Sequence, residues 1–494
     1  MSALDASHDI DHEHGDTVGA VNDAAMRKLY KKRQPIYPKA AHGVFRRAKW
    51  AILIVLLAIY YVVPWIRWDR GAGRPDQAVL VDFAGRRFYF GPLELWPQEI
   101  YYITGLLVLS ALALFLFTAL FGRVWCGYAC PQTVWTDLYL LVERRIEGDR
   151  NAQLKLAKAP WTFGKVRKKT IKHALWLLIA AATGGAWVFY FADAPALFRD
   201  IFTGAASTTT YIFIALLTFT TYSLAGTMRE QVCTYMCPWP RIQAAMIDEH
   251  SLQVTYRGDR GEPRGPHKKG ASWEGRGDCV DCTQCVAVCP MGIDIRQGSQ
   301  LECINCALCV DACDEVMERV GRPKGLIAYY NEIDRPAAKQ TGLVAVPFVR
   351  PRTILYACLI AVIGSAMLYG LITRPTIALD IIRDRNPTFV RLADGSVRNG
   401  YAIKVLNMRP RDRDIVVAVG GASGAVMHGN GLSVSGDRVS IHAAGDHMSV
   451  AHLYVAVPPP QLSATAPKLT FTAIDPIKGR PVRASAAFLQ GDQP

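Results

Sequence analysis

The chain has 494 residues, of which 51% are hydrophobic and 20% charged, and a formal net charge of +14. That length allows about three domains, and the composition suits membrane spans joined to soluble parts better than a soluble protein or a bare membrane bundle. A basic excess gathered into one patch would point to nucleic acid, but here the lysines and arginines flank the apolar segments, as in cytoplasmic membrane loops, which excludes nucleic acid as the expected partner.

Residues 1–45 read as a cytoplasmic N-terminal tail, polar and acidic at first and basic at RKLYKKR (27–33). Little in residues 1–34 can be buried, so disorder is expected there. His8, His12 and His14 sit among acids and could touch a metal, but a solvated tail accounts for them. No apolar core with a small-residue cleavage site marks a signal peptide.

Apolar runs predict membrane spans at about 48–66, 100–121, 173–191 and 208–226, within a bundle occupying 46–256, and a fifth helix at 351–374. Each run approaches the roughly 20 residues that cross a bilayer. Lysine and arginine crowd residues 27–49, 144–172 and 227–352, which places those regions in the cytoplasm by the positive-inside rule. Five spans put the two termini on opposite sides.

Two of the loops on that side carry one motif twice. CGYACP (126–131) follows the second span and CTYMCP (233–238) follows the fourth. If the helix continued through each, Cys126 and Cys130, and likewise Cys233 and Cys237, would share a face, and the proline would then end or bend it. Four thiols gathered just inside the membrane could hold Cu(I), hold a further cluster, or cycle between dithiol and disulfide. Trp125, Tyr128 and Tyr235 beside them read as an interfacial aromatic belt, although aromatics near redox centres could also couple them.

Residues 257–350 hold a Gly/Pro-rich linker and then eight cysteines in two runs, each C-x2-C-x2-C-x3-C, the first followed by Pro290. In bacterial two-cluster ferredoxins the three close thiolates of a run grip one cluster and the fourth reaches the other. Cys279, Cys282, Cys285 and Cys313 are thus assigned to one 4Fe–4S cluster, and Cys303, Cys306, Cys309 and Cys289 to the second. Asp314 stands where a second proline would usually follow Cys313. Such thiols need a reducing compartment, in agreement with the charge rule.

After Arg374 and Pro375 the pattern becomes short alternating runs, at 401–408, 414–421, 438–445, 450–458 and 467–475, between Gly, Asn, Asp and Pro breaks. This spacing predicts a β-sandwich of immunoglobulin type over 375–494, and its lack of cysteine suits the periplasm. Met427, His428, His447 and Met448 could contact copper but read as ordinary strand and loop residues. Cys358 reads as a buried apolar residue of the fifth span, and His173 as an interfacial histidine. No P-loop or dinucleotide fingerprint appears, so electrons are expected from a separate donor or from quinol.

The expected fold is therefore a multidomain membrane protein: a five-helix α transmembrane bundle, a cytoplasmic bacterial-type 2×(4Fe–4S) ferredoxin insert and a C-terminal all-β immunoglobulin-like sandwich. WCGYACPQTVWTDLYLLVERRIEG (125–148), REQVCTYMCPWPRIQAAMIDEHSLQVTY (229–256), the cysteine-rich stretch 279–316 and NPTFVRLADGSVRNGYAIKVLNM (386–408) together resemble the CcoG/FixG/RdxA family. These are membrane-bound polyferredoxin accessory proteins of cbb3-type cytochrome oxidase. The resemblance implies a multi-pass protein of the bacterial inner membrane that serves oxidase maturation through the redox state of copper. Its reaction would be reduction of Cu(II) to Cu(I), with Cys126, Cys130, Cys233 and Cys237 as the copper or redox thiols. The oxidase assembly machinery, or a copper transporter or chaperone, would be its partner. Two other functions compete: a non-enzymatic, redox-sensing factor that holds copper, and an electron conduit from quinol to a periplasmic reductase.

Overall fold

Backbone polar groups have no water to bond in a bilayer, so an apolar run long enough to cross one must satisfy them within a helix. Five helices of the computed structural model meet that length and apolarity: Val44–Trp65, Pro97–Phe121, Phe163–Val188, Thr208–Met228 and Pro351–Thr373. The structure describes residues 35–331 except 72, 269 and 271, and residues 348–490 except 423, 463–467, 476 and 478. Of the predicted tail, residues 1–34 with His8, His12 and His14 lie outside them, whereas residues 35–43 pack in ordered form, the Lys39 N–H donating to the Ala287 carbonyl at 2.8 Å.

The third helix begins ten residues before its predicted start. Thr162 caps it by accepting from the Lys165 backbone N–H at 3.3 Å, and its basic first turns are held by ion pairs. Lys172 meets Glu143 at 3.1 Å and Glu147 at 2.9 Å, while Lys169 meets Glu147 at 3.0 Å. Hydropathy marks only the part of such a helix that lies in lipid. The first helix also starts early, at Val44, because a carboxylate from far along the chain caps it. Asp311 accepts from the backbone N–H groups of Phe45 at 3.2 Å and Arg46 at 2.7 Å. Asp311 fills the space where a side chain on Gly43 would stand, its nearest atom 2.2 Å from that point.

At one end of the helices, loops join spans one to two and three to four. A three-stranded antiparallel sheet, Val79–Asp82, Arg87–Phe90 and Leu93–Leu95, forms there, which the sequence did not suggest. Fully buried Gln77 ties this end together, donating to the Phe189 carbonyl at 2.7 Å and accepting from the Ala194 N–H at 2.9 Å. At the opposite end lie the paired-cysteine motifs, the amphipathic helix Pro131–Glu147 and the ferredoxin insert. The insert is closed by a two-stranded ribbon, Gln253–Tyr256 against Ile327–Tyr330.

The chain divides into two units, one through Gly364 and one from Ser365 onward. The second is a sandwich of two antiparallel sheets. One runs Val426–His428, Met448–Val457, Val397–Asn407, Ile377–Arg383, with Val390–Arg391 paired to Val397–Asn407. The other runs Ser433–Ser435, Arg438–Ala443, Arg413–Gly420, Lys468–Ile474, Pro481–Ala487. Alternate residues point inward, so Tyr401, Ile403, Val417, Leu453, Val455 and Phe471 make its core. All five predicted strands are present. The strand Ile377–Arg383 escaped prediction because it follows directly on an apolar span and carries Asp380 and Arg383.

Candidate iron–sulfur and thiol site

Each cysteine run wraps one cavity. Cys279, Cys282, Cys285 and Cys313 line the first, with Tyr256, Thr283, Arg296 and Met317. Cys289, Cys303, Cys306 and Cys309 line the second, with Val254, Met291, Ile293 and Ile304, and Cys285 borders both. The fourth thiol of each run thus reaches the other run's cavity.

The donor set fits iron–sulfur clusters. Four soft thiols ring each volume, and no carboxylate or imidazole lines it. Among the described residues no three His, Cys, Asp or Glu side chains converge where a single ion would be held. Thiols spread around a volume suit the corners of a cubane rather than one tetrahedral zinc. Burial pushes the thiols of Cys285 and Cys289 up to about 12 and that of Cys303 up to about 11, so loading with iron must displace protons. Two buried guanidinium groups offset thiolate charge. Arg296 lines the first cavity and pairs with Asp294 at 2.6 Å, and Arg123 donates to the carbonyls of Leu301 and Cys303 beside the second.

The paired-cysteine motifs lie directly against the second cavity. Cys126 and Cys233 pack in one cluster with Cys289, Cys303, Cys306 and Cys309. A Cβ on Gly127 would stand 2.5 Å from the Ile304 carbonyl oxygen and 3.0 Å from the Cys306 Cα, so only glycine permits this approach. Tyr128 donates its hydroxyl to the Cys306 carbonyl at 3.1 Å and is buried. It is therefore part of the site and not of an interfacial belt; Trp125 and Tyr235 remain exposed.

The helices do not continue through the motifs, so the condition on which each cysteine pair would share a helix face is not met. The helix Val124–Tyr128 stops, Cys130 is extended (ψ 130°), and Pro131 opens the next helix. Cys237 is likewise extended (ψ 122°) after the π-helical turn Val232–Met236. Proline's fixed φ and missing N–H suit the first position of a helix better than its end. Each helical turn therefore ends before its second cysteine, and Cys130, Cys233 and Cys237 still lie close enough to Cys126 to raise its thiol. Burial pushes Cys126 up to about 12, with Cys130 and Cys233 adding to the shift, and pushes Cys233 up to about 12, with Cys130 and Cys237 adding. Burial also raises Cys130, although the N–H groups of Gln132 and Thr133 oppose it.

Two residues that spacing could not reveal complete this site. The Cys126 thiol donates to Gln243 Oε1 at 3.0 Å, and Gln243 Nε2 donates to Thr118 Oγ1 at 3.2 Å. A hydroxyl in an apolar span was the available signal for Thr118, one it shares with Thr104 and Ser110. Other candidates fall away. Cys358 is exposed on the fifth helix rather than buried, because that helix buries almost none of its surface in the protein. Met427 packs against the sandwich core and His428 is exposed one residue on, as strand alternation requires. His173 pairs with the Tyr222 hydroxyl at 2.9 Å.

A bundle of membrane-spanning helices carrying a two-cluster ferredoxin insert and an immunoglobulin-like domain defines a membrane-bound polyferredoxin. Family models agree: a 4Fe–4S dicluster domain matches residues 228–332, a 4Fe–4S binding domain 103–147, and the Ig-like fold at the C-terminus of FixG 367–490. The chain is 50% identical to the nitrogen fixation protein FixG of Rhizobium meliloti over 486 residues, covering 92% of this chain and 93% of that one. It is also 50% identical to protein RdxA of Cereibacter sphaeroides over 437 residues, 87% of this chain and 91% of that one. The crystal structure of a FixG-related protein from Vibrio parahaemolyticus matches with a TM-score of 0.20 at 18% identity, over 24% of this chain and 97% of that one. The chain belongs to the FixG/RdxA family.

Proposed function

We propose that this iron–sulfur protein is a cupric reductase of the bacterial inner membrane, supplying Cu(I) for maturation of a cbb3-type cytochrome oxidase. The observation that carries the reading is contiguity: Cys126 and Cys233 pack among the thiols of the second cluster cavity. When bound, a 4Fe–4S cluster supplies single electrons, at potentials within roughly −700 to +450 mV across such centres. The rest falls to the chain. Gly127 and Tyr128 hold the second cavity against the thiol pairs, and Gln243 fixes the Cys126 thiol. Thiols favour soft Cu(I) over Cu(II), so the product is the better-held ion. One electron converts one Cu(II) to one Cu(I), and thiol protons leave as sulfur takes the metal. The charge pattern supports a cytoplasmic ferredoxin insert and a periplasmic sandwich, the latter suited to docking on the assembly machinery or a copper transporter.

The test is an anaerobic titration of the reduced protein with Cu(II), following cluster absorbance and Cu(I) together. Reoxidation with stoichiometric Cu(I) is expected. Changing Cys126, Cys130, Cys233 and Cys237 together to serine should keep the iron–sulfur spectrum and abolish copper reduction; retained reduction rejects the assignment. Reduced clusters indifferent to Cu(II), in a protein that still binds Cu(I), would make it a copper-holding factor instead.

One observation favours a second reading. The 4Fe–4S binding match over 103–147 contains only Cys126 and Cys130, half a ligand set, which Cys233 and Cys237 would complete as a further cluster. Iron analysis separates the two, at about eight against about twelve atoms per chain.

A further inference from the structure

The two cluster loops are near copies in backbone conformation. The residues flanking the middle cysteine are left-handed in both: Asp281 (φ 52°) and Thr283 (φ 53°) around Cys282, Asn305 (φ 53°) and Ala307 (φ 56°) around Cys306. Few non-glycine residues adopt that region, so its fourfold use marks one motif built twice. Only the surroundings differ. Asn305, Cys306 and Ala307 are all buried, covered by Gly127, Tyr128 and the Leu252 carbonyl. Asp281 and Cys282 are exposed, and Thr283 is half-buried.

We propose that the Cys282 loop is the electron-entry face, where a soluble one-electron carrier protein docks. Electron transfer falls steeply with distance, so an entry site needs a cluster ligand at the surface, and the first cavity has one in Cys282. The loop of the second cavity is covered by Gly127 and Tyr128, next to the thiol pairs, and that cavity is the exit. Cys285 borders both cavities, which keeps the internal step short. The rim is polar: Arg296 pairs with Asp281, and Lys39 Nζ donates to Gln284 Oε1 at 2.7 Å. That suits a folded carrier, with its hydrated surface, better than a quinol tail. Each encounter oxidises the carrier by one electron, adds that electron at the first cavity, and makes or breaks no covalent bond.

The inference rests on clusters in these two cavities and not on copper, so the experiment omits copper. Full-length protein in detergent is mixed anaerobically with photoreduced flavodoxin, an acidic one-electron carrier, and cluster bleaching is followed by stopped flow. Gln284→Lys should speed bleaching and Gln284→Glu should slow it. We expect about a fivefold spread at low salt that collapses near about 0.5 M salt, with dithionite-driven bleaching unchanged in both variants. Equal rates in all three proteins would overturn the proposal. So would failure of flavodoxin to reduce protein that dithionite bleaches, or bleaching by decylubiquinol alone, which would assign the donor to the membrane.

Discussion

Single residues link the insert to the membrane part, and their replacement should separate folding from function. Gln243 is 1% exposed and bonds both Cys126 and Thr118. Gln243→Leu removes the acceptor of the Cys126 thiol without touching a cluster ligand. The expected result is an unchanged iron–sulfur spectrum with copper reduction slowed about tenfold, the equivalent of losing one hydrogen bond of about 1.4 kcal/mol. Asp311 acts on stability. Its carboxylate caps the first span, so Asp311→Ala should cost about 1–2 kcal/mol, and Asp311→Asn less because the amide oxygen still accepts. Thermal unfolding followed by loss of cluster absorbance measures both.

Among the elements, the helix Pro131–Glu147 is the fastening. Its buried acids meet basic residues at the ends of three spans. Asp137 pairs with Lys49 at 3.0 Å and Arg46 at 3.2 Å, while Glu143 also pairs with Arg229 at 2.7 Å. Burial pushes the Asp137 carboxyl up, but Lys49 and Arg46 more than offset it and hold it below its usual range. Its contribution to stability is therefore complete above the unfolded value of about 3.9 and is lost as pH falls through the depressed folded value. The melting temperature should fall on acidification below about pH 4, less steeply in Asp137→Asn. At neutral pH that variant leaves two buried cations short of a partner and should lose about 3 kcal/mol.

For the whole molecule, the proposed sidedness is open to a direct check. All the paired cysteines and the insert lie at one end of the first four spans, and the sheet Val79–Leu95 lies at the other. Protease added to right-side-out cells should remove the sandwich beyond residue 375 and leave the cluster spectrum intact. Inverted vesicles should show the opposite. Cluster loss in intact cells would reverse the orientation argued from the charge pattern.

How much of this was legible in the sequence depends on the range of the cause. Spans, cysteine runs and alternating strands are local patterns, each set by the period of its own element or by the reach of three neighbouring thiols, and they were readable without a structure. The cysteine pattern also assigns each run's fourth thiol to the other run's cluster, because cluster geometry restricts the fourth ligand. Tertiary structure alone decided the rest. It turned Tyr128 inward, broke both C-x3-C-P motifs between their cysteines, brought Gln243 to Cys126 and Asp311 to the first span, and left Cys282 exposed while burying its counterpart Cys306. Each of these depends on a partner distant in sequence, and no periodicity within a segment records which distant surface will cover it.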